Sequence, residues 1–399
     1  MYHCETLESH HKDLVHDVSF NWYGNRLATC SSDQSVKIWE WNTDQQSWDC
    51  SASWKAHSGS VWKVNWAHPE FGNLIATCSF DRTAAVWEEM PGDSFLLSGT
   101  GAPPPSSHGN PNLRTEGDAP AQSHWVKKVT MVDSRTSVTD VKFAPKILGL
   151  ILATCSADGT LRIYEASDVM NLTNWTLQHE IHTKLPSSCI CWNHAIAKFL
   201  PPVLAVGSDD ATTKGGKVFI YEYHEPSRRW ENIETLTSVS DPVHDMAFSP
   251  NVGRSFSILG ITSKELKIVT LKPKNRDALL SDNPNISERT PFESKYEVKL
   301  AGSFNDHKST VWRICWNFTA TILATSGDDG NVRLWKCNYK DNWHCVATLK
   351  GDGQSASIRN HPNMTLLKDQ SFNNSGMGLN KANANTNANA SSFTSGMWK

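Results

Sequence analysis

Short runs of alternating apolar and polar residues recur along this 399-residue chain, separated by turn-forming residues. In each run an apolar strand leads into a turn rich in Ser, Asp and Gly, and a second strand ends on an aromatic residue. Alternation with a period of two predicts strands with one buried face, and the turns predict hairpins. Four runs align without gaps, at residues 27–39, 75–87, 152–164 and 323–335. Weaker copies lie at 204–221, which carries an insertion, and at 258–269, which lacks the Asp and the aromatic residue.

Each copy is accompanied by two more strands, which gives four strands per repeat. A matched strand precedes it, as in 14–20 and 310–316. In three copies a His precedes this strand, at His11, His57 and His307, and together with the Trp after the hairpin it resembles the GH…WD pattern of propeller blades, although the Gly before the His is replaced in all three. The sequence therefore predicts an all-β fold, a six-bladed open WD-repeat β-propeller. Candidate fourth strands are 49–57, 124–133, 174–181, 229–236, 296–304 and 342–350.

The predicted propeller spans residues 1–350. Two polar insertions, 90–123 and 273–294, and an Asn- and Ser-rich tail, 351–399, have compositions that cannot form a core, and the tail is predicted to be disordered. The six repeats cover about 10–47, 56–89, 134–166, 183–223, 239–271 and 306–337, each with its outer strand following.

His, Asp and aromatic residues recur at fixed offsets in the repeats and predict a buried hydrogen-bond network that holds each blade together. A hydrolase triad is the alternative interpretation. Recurrence of the same residues in several copies favours a structural role in the fold. The sequence therefore predicts no catalytic residues and no enzyme. The predicted network residues are His11, Asp33, Trp39, His57, Asp81, Trp87, Asp158, Tyr164, His307, Asp329 and Trp335.

One N-terminal strand has no blade of its own. The last blade already owns a fourth strand, 342–350, yet residues 2–9 resemble another. Because unpaired sheet edges are usually covered, a partner chain is expected to add strands beside 2–9 and to complete a further blade in trans. The alternatives are that 2–9 caps the first blade or replaces 342–350 in the last.

Composition excludes several function classes. The net charge of −3 does not favour nucleic acid as a partner. No apolar run is long enough to span a bilayer, and the first residues lack the apolar core of a secretion signal. The ten cysteines form no C-x₂-C pairs, so they are expected to be structural and reduced, with no metal and no cofactor.

Longer stretches, including 11–20, 30–39, 54–72, 78–89, 123–146 and 326–336, resemble the SEH-type nucleoporins, WD-repeat relatives of the secretory-coat protein Sec-thirteen. The resemblance covers about residues 10–350. It implies an open propeller in the Y-shaped scaffold of the nuclear pore, closed by a blade from a helical scaffold nucleoporin and contacting other subunits of that complex. It also implies a place in the GATOR complex, which relays amino-acid status to the TOR kinase, with a blade from a Mio-type subunit.

For such an inserted blade, the expected contacts are the N-terminal strand residues Tyr2, His3, Cys4, Glu5, Thr6 and Leu7. The implied locations are the nuclear envelope, the cytoplasm, the lysosomal surface and, in mitosis, the kinetochore. Two other functions remain open at this point. The chain could be the secretory-coat sibling, or a peptide reader using its central channel, although the sequence shows no acidic ring beyond the blade network.

Overall fold

The computed structural model describes residues 5–90, 124–194, 201–250, 253–274, 296–351 and 394–395. They form six antiparallel four-stranded sheets, which we number as blades 1 to 6 in chain order. Each sheet is built from four consecutive strands, so every blade is completed by its own sequence. This confirms the predicted all-β, six-bladed propeller.

Four strands make up each blade and follow one another from the innermost to the outermost. Blades 1 and 2 contain β2 (Val15–Phe20), β3 (Arg26–Ser31), β4 (Ser35–Asn42) and β5 (Ser47–Lys55), then β6 (Val61–Trp66), β7 (Leu74–Ser79), β8 (Ala84–Met90) and β9 (His124–Met131). Blades 3 and 4 contain β10 (Val138–Phe143), β11 (Ile151–Ser156), β12 (Thr160–Ala166) and β13 (Trp175–His182), then β14 (Cys189–Trp192), β15 (Val203–Gly207), β16 (Val218–His224) and β17 (Arg229–Thr235). Blades 5 and 6 contain β18 (Asp245–Phe248), β19 (Ser257–Thr262), β20 (Leu266–Pro273) and β21 (Tyr296–Phe304), then β22 (Val311–Trp316), β23 (Ile322–Gly327), β24 (Asn331–Cys337) and β25 (Trp343–Lys350).

Consecutive blades pack face to face and share their apolar cores. Val36 and Ile38 of blade 1, for example, lie in one buried cluster with Val64 and Trp87 of blade 2. Similar clusters join blades 2 and 3, 3 and 4, 4 and 5, and 5 and 6. A last, smaller cluster contains residues of blade 6 alone. The core is therefore divided among the blade junctions.

The N-terminal strand β1 (Glu5–Thr6) belongs to no blade. It pairs antiparallel with β26 (Thr394–Ser395) of the tail, with Glu5 opposite Ser395. The outermost strand of blade 6 is β25, so residues 2–9 do not replace 342–350 there, and that alternative is wrong. The rest of the predicted tail and most of both insertions lie outside the described residues.

The recurring His residues hold a relay of hydrogen bonds in blades 1, 2 and 6. In blade 6 the Trp335 indole N–H donates to Thr325 Oγ1 at 2.9 Å, and His307 Nε2 lies 2.9 Å from the same hydroxyl. His307 Nδ1 lies 2.9 Å from Asp329 Oδ1. Thr325 accepts from the indole and can donate its own proton to Nε2, while Nδ1 lies between the Asp329 carboxylate and the Arg333 guanidinium, which is 2.8 Å away.

The same arrangement joins the other predicted residues of blades 1 and 2. His11 lies 2.9 Å from both Asp33 and Thr29, and His57 lies 3.1 Å from Asp81 and 2.8 Å from Thr77. Trp39 and Trp87 donate to Thr29 and Thr77 at 3.0 and 3.1 Å.

Blade 3 uses a different partner for its aromatic residue. The Tyr164 hydroxyl donates to Asp133 at 2.9 Å, whereas Asp158 accepts hydrogen bonds from Ser156 and Thr160 within its own turn. In blade 3, therefore, Tyr164 and Asp158 bond to separate partners and are not joined by a His residue as in blades 1, 2 and 6.

This relay makes the propeller sensitive to acid. Burial lowers the pKa of His307 in the folded protein below the 6.5 of an unfolded chain. The neutral His307 therefore contributes its full stability above pH 6.5, and this contribution is lost as the pH falls through the pKa of the folded state. The pKa of Asp329 falls to about 2, although burial alone would raise it, because Arg333, His307 and Asn331 donate to the carboxylate; its contribution is lost below pH 4. We expect the melting temperature to fall from pH 7 to 5 and more steeply below 4.

His307→Gln should flatten the first part of that curve, because glutamine keeps a donor and an acceptor but does not titrate in this range. Thermal melts at half-unit pH steps measure the slope. An unchanged slope between pH 7 and 5 would contradict the assignment of the neutral imidazole to the folded state.

Candidate functional site: the open seam

Blades 1 and 6 meet at a junction that lacks the packing of the other five, and we call this junction the open seam. The innermost strand of each blade carries an apolar residue directed at the preceding blade. In blades 2 to 6 this residue is buried: Val64, Val141, Ile190, Met246 and Ile314. Its counterpart in blade 1, Val18, is 46% exposed. No blade covers Val18 among the described residues.

The aromatic residue at the end of the innermost strand shows the same contrast. Trp66, Trp192 and Trp316 donate their indole N–H groups to carbonyl oxygens of the preceding blade, at 2.9, 3.2 and 3.0 Å. The equivalent residue of blade 1 is Phe20, which is 37% exposed, whereas the phenylalanines at this position in blades 3 and 5, Phe143 and Phe248, are buried. It lies edge-on to Trp48, with 5.9 Å between the ring centroids.

The opposite wall of the seam belongs to blade 6. Ala324 and Val332 occupy positions that are fully buried in the other blades, as shown by Ala28 and Val36 of blade 1. In blade 6 both residues are only partly buried, and they pack against the cluster formed by that blade alone. The seam therefore has two apolar walls, and each of them resembles half of a blade junction.

Arg313 of blade 6 reaches across the seam to blade 1 at the inner end of the two blades. The Arg313 guanidinium donates to the carbonyl oxygen of His16 at 2.6 Å and lies 3.5 Å from Asp17. The equivalent residues Asp140 and Asp245 accept from backbone N–H groups of the following blade instead. Arg313 thus holds blade 6 to blade 1 beside the channel. We call this contact the Arg313 latch; within the described residues, the apolar walls of the seam do not share a buried cluster.

The channel side of these strands holds a ring of opposite charges that sequence analysis missed. Three carboxylates, Asp17, Asp140 and Asp245, face three cations, Lys63, Lys142 and Arg313. Lys63 Nζ lies 3.6 Å from Asp245 Oδ1. Burial alone would lower the pKa of Lys63, but the surrounding carboxylates raise it well above its ordinary value. Five of these six residues lie three positions before the aromatic end of their strand, a spacing that was visible in the sequence, whereas Lys142 lies one position before Phe143.

The segment that leads from β1 into blade 1 contacts the seam face of that blade. Lys37 lies between Val36 and Ile38, which face blade 2, so its side chain is on the seam face. Its ammonium group donates to the carbonyl oxygens of Ser9 and His10 at 3.0 and 2.7 Å. The segment that follows β1 is therefore tied to the seam wall.

The predicted partner-binding residues are only partly described. Tyr2, His3 and Cys4 lie outside the described residues, Glu5 and Thr6 form β1, and Leu7 is half-buried. The exposed seam residues Val18 and Phe20 were not singled out in the sequence. They are found only by comparing burial at equivalent positions of the six blades, because the same types of residue are buried in the other innermost strands.

Two further observations bear on the kind of site. Among the residues that the structure describes, no group of three or more His, Cys, Asp and Glu side chains is placed to hold a metal ion. Within the same ranges, no helix has both the length and the apolar character needed to cross a membrane.

Comparison with known proteins places the propeller in a family. The WD domain, G-beta repeat (WD40), matches residues 2–40, 48–88, 127–165 and 298–336. Nucleoporin SEH1-A of Xenopus laevis is 55% identical over 354 residues, which are 88% of this chain and 90% of the relative. Nucleoporin SEH1 of Homo sapiens is 51% identical over the same shares, and that of Danio rerio is 52% identical over 92% of each chain. The chain therefore belongs to the SEH1 nucleoporin family, whose members are WD-repeat scaffolds and not enzymes.

Proposed function

We propose that this protein is a structural subunit of the nuclear pore scaffold, where it supports pore assembly and the transport of mRNA and protein. The observation that carries the proposal is the open seam, together with the similarity to nucleoporins of the SEH1 type over most of the chain. Val18 and Phe20 on one wall, and Ala324 and Val332 on the other, are less buried than the equivalent residues of the other junctions.

An inserted blade from a partner is the occupant that fits this seam. Each of the two walls carries the apolar residues of one half of a blade junction, so a partner sheet between them would bury both walls at once. A helical scaffold nucleoporin of the Y-shaped complex is the partner that the family resemblance suggests. Binding of this kind would act at the nuclear envelope.

We also propose that the same seam serves the GATOR complex, through a Mio-type blade, in activating TOR signalling at the lysosomal surface. One seam accepts one blade at a time, so the two assemblies would contain separate copies of this protein. A role at the kinetochore would follow from the pore scaffold as a whole. The three relatives named above are nucleoporins of the SEH1 type, which favours the pore scaffold over the alternative of a secretory-coat subunit.

Co-purification of the full chain, followed by mass spectrometry, tests this proposal. We expect pore-scaffold subunits, and GATOR subunits in a separate fraction. Limited proteolysis should cut residues 2–9 in the isolated chain and spare them in the complex. Recovery of coat subunits in place of both sets would overturn the proposal while leaving the fold unaffected.

A further inference from the structure

Bulges in the innermost strands set the side chains around one mouth of the channel. The strand register shifts after Val15, Val61, Val138 and Val311, which inserts one extra residue in each of blades 1, 2, 3 and 6. The side chain of such an extra residue does not follow the regular alternation of side chains between the two faces of the strand. The extra residues are His16, Trp62, Thr139 and Trp312, and the same position in blades 4 and 5 is held by Ser188 and His244.

These six positions are unevenly distributed around the channel mouth. Thr139 and Ser188, in blades 3 and 4, donate their hydroxyls to backbone oxygens of the next blade at 2.7 and 2.6 Å. Blades 5, 6, 1 and 2 carry aromatic rings, and these four blades flank the open seam. We call His244, Trp312, His16 and Trp62 the aromatic arc.

The rings of the arc are held in place yet remain accessible. Trp312 lies on His244 with 4.3 Å between centroids, and its indole N–H donates to Asp328 at 2.5 Å. Trp62 lies on His16 with 4.9 Å between centroids. The two tryptophans are 44% and 38% exposed. Large aromatic side chains fixed at a surface are typical anchors for a ligand, because little conformational entropy is lost on binding.

The charge around the arc is negative. Asp209 and Asp328 are exposed and act electrostatically on His244. Burial lowers the pKa of His16 and His244, so both imidazoles are neutral at pH 7 and contribute no positive charge. The nearest guanidinium, that of Arg313, is turned toward Asp17 and the carbonyl oxygen of His16.

We propose that the aromatic arc is a second protein-binding site, which takes an arginine side chain from an extended basic segment of a partner. A guanidinium stacks on an indole face and pairs with carboxylates in its own plane, and the arc offers Trp312 beside Asp328 and Asp209. The site lies beside the seam but uses none of its apolar wall residues. It therefore extends the proposed scaffold function without depending on it.

A fluorescein-labelled heptapeptide, Gly-Gly-Arg-Gly-Arg-Gly-Gly, tests this site by fluorescence anisotropy with the full chain. We expect saturable binding that weakens as salt is raised, and none for the peptide with Gln in place of Arg. Trp312→Ala and Asp328→Asn should each weaken binding about 10-fold or more. Trp22→Ala is the matched control, since Trp22 also lies on a histidine, His68, with 4.6 Å between centroids, but outside the arc.

Equal binding of the Gln peptide, or unchanged binding by Trp312→Ala, would overturn the proposal. Val18→Asp, which alters the seam wall alone, should leave peptide binding unchanged. Loss of peptide binding in that variant would place the site in the seam instead of the arc.

Discussion

Val18→Asp should strongly weaken capture of the partner blade while leaving the isolated propeller folded. Val18 is 46% exposed on the seam wall, so a carboxylate there keeps its contact with water until a partner arrives. On binding, the charge would be buried against an apolar face without a counter-ion, which costs several kcal/mol. We expect affinity to fall by about 30-fold to 1,000-fold, the range of interface hot spots. Calorimetry of the purified pair gives the affinity, and a thermal melt gives the stability.

The repeat supplies a matched control for this experiment. Val64 is the equivalent residue of blade 2 and is fully buried against blade 1. Val64→Asp should destabilise the fold by more than about 4 kcal/mol, whereas Val18→Asp should change it by less than about 1 kcal/mol. If the two variants melted alike, the seam would be closed in solution and the proposed binding surface would not exist.

Lys63→Met should strongly destabilise the fold by unbalancing the charges inside the channel. Lys63 is 4% exposed and lies in the field of Asp17, Asp140 and Asp245. Its removal leaves three carboxylates with two cations, and breaking a buried ion pair from one side costs about 3–5 kcal/mol. The melting temperature and the urea midpoint should both fall.

A compensating variant separates charge balance from packing. Lys63→Met combined with Asp245→Asn restores neutrality and should recover more than half of the loss. Lys128→Met is the surface control: its ion pair with Glu88, at 2.6 Å, is partly exposed, and its loss should cost less than about 1 kcal/mol. If the double variant were no more stable than Lys63→Met alone, the loss would come from packing of the lysine stem.

The seam residues show why part of the candidate site could not be predicted. Val18 and Val64 stand in similar contexts, VHDVSF and VWKVNW, so the sequence predicts the same buried role for both. Their difference in burial depends on whether another blade lies in front, and that is decided by how the ring closes. Three of the four arc residues, His16, Trp62 and Trp312, likewise lie on bulges, which break the alternation on which strand prediction relies.

By itself the sequence determined the blade: the strand pattern, the turn chemistry, the His–Asp–Trp repeats and the count of six complete sheets. These are local properties, because strand alternation and hairpin turns act over a few residues and are repeated along the chain. Only the tertiary structure decided which side chains line the gap between blades 1 and 6, and that Arg313 bridges the two blades at its inner end. It also decided that opposite charges from separate blades share one channel, because those contacts join residues more than a hundred positions apart.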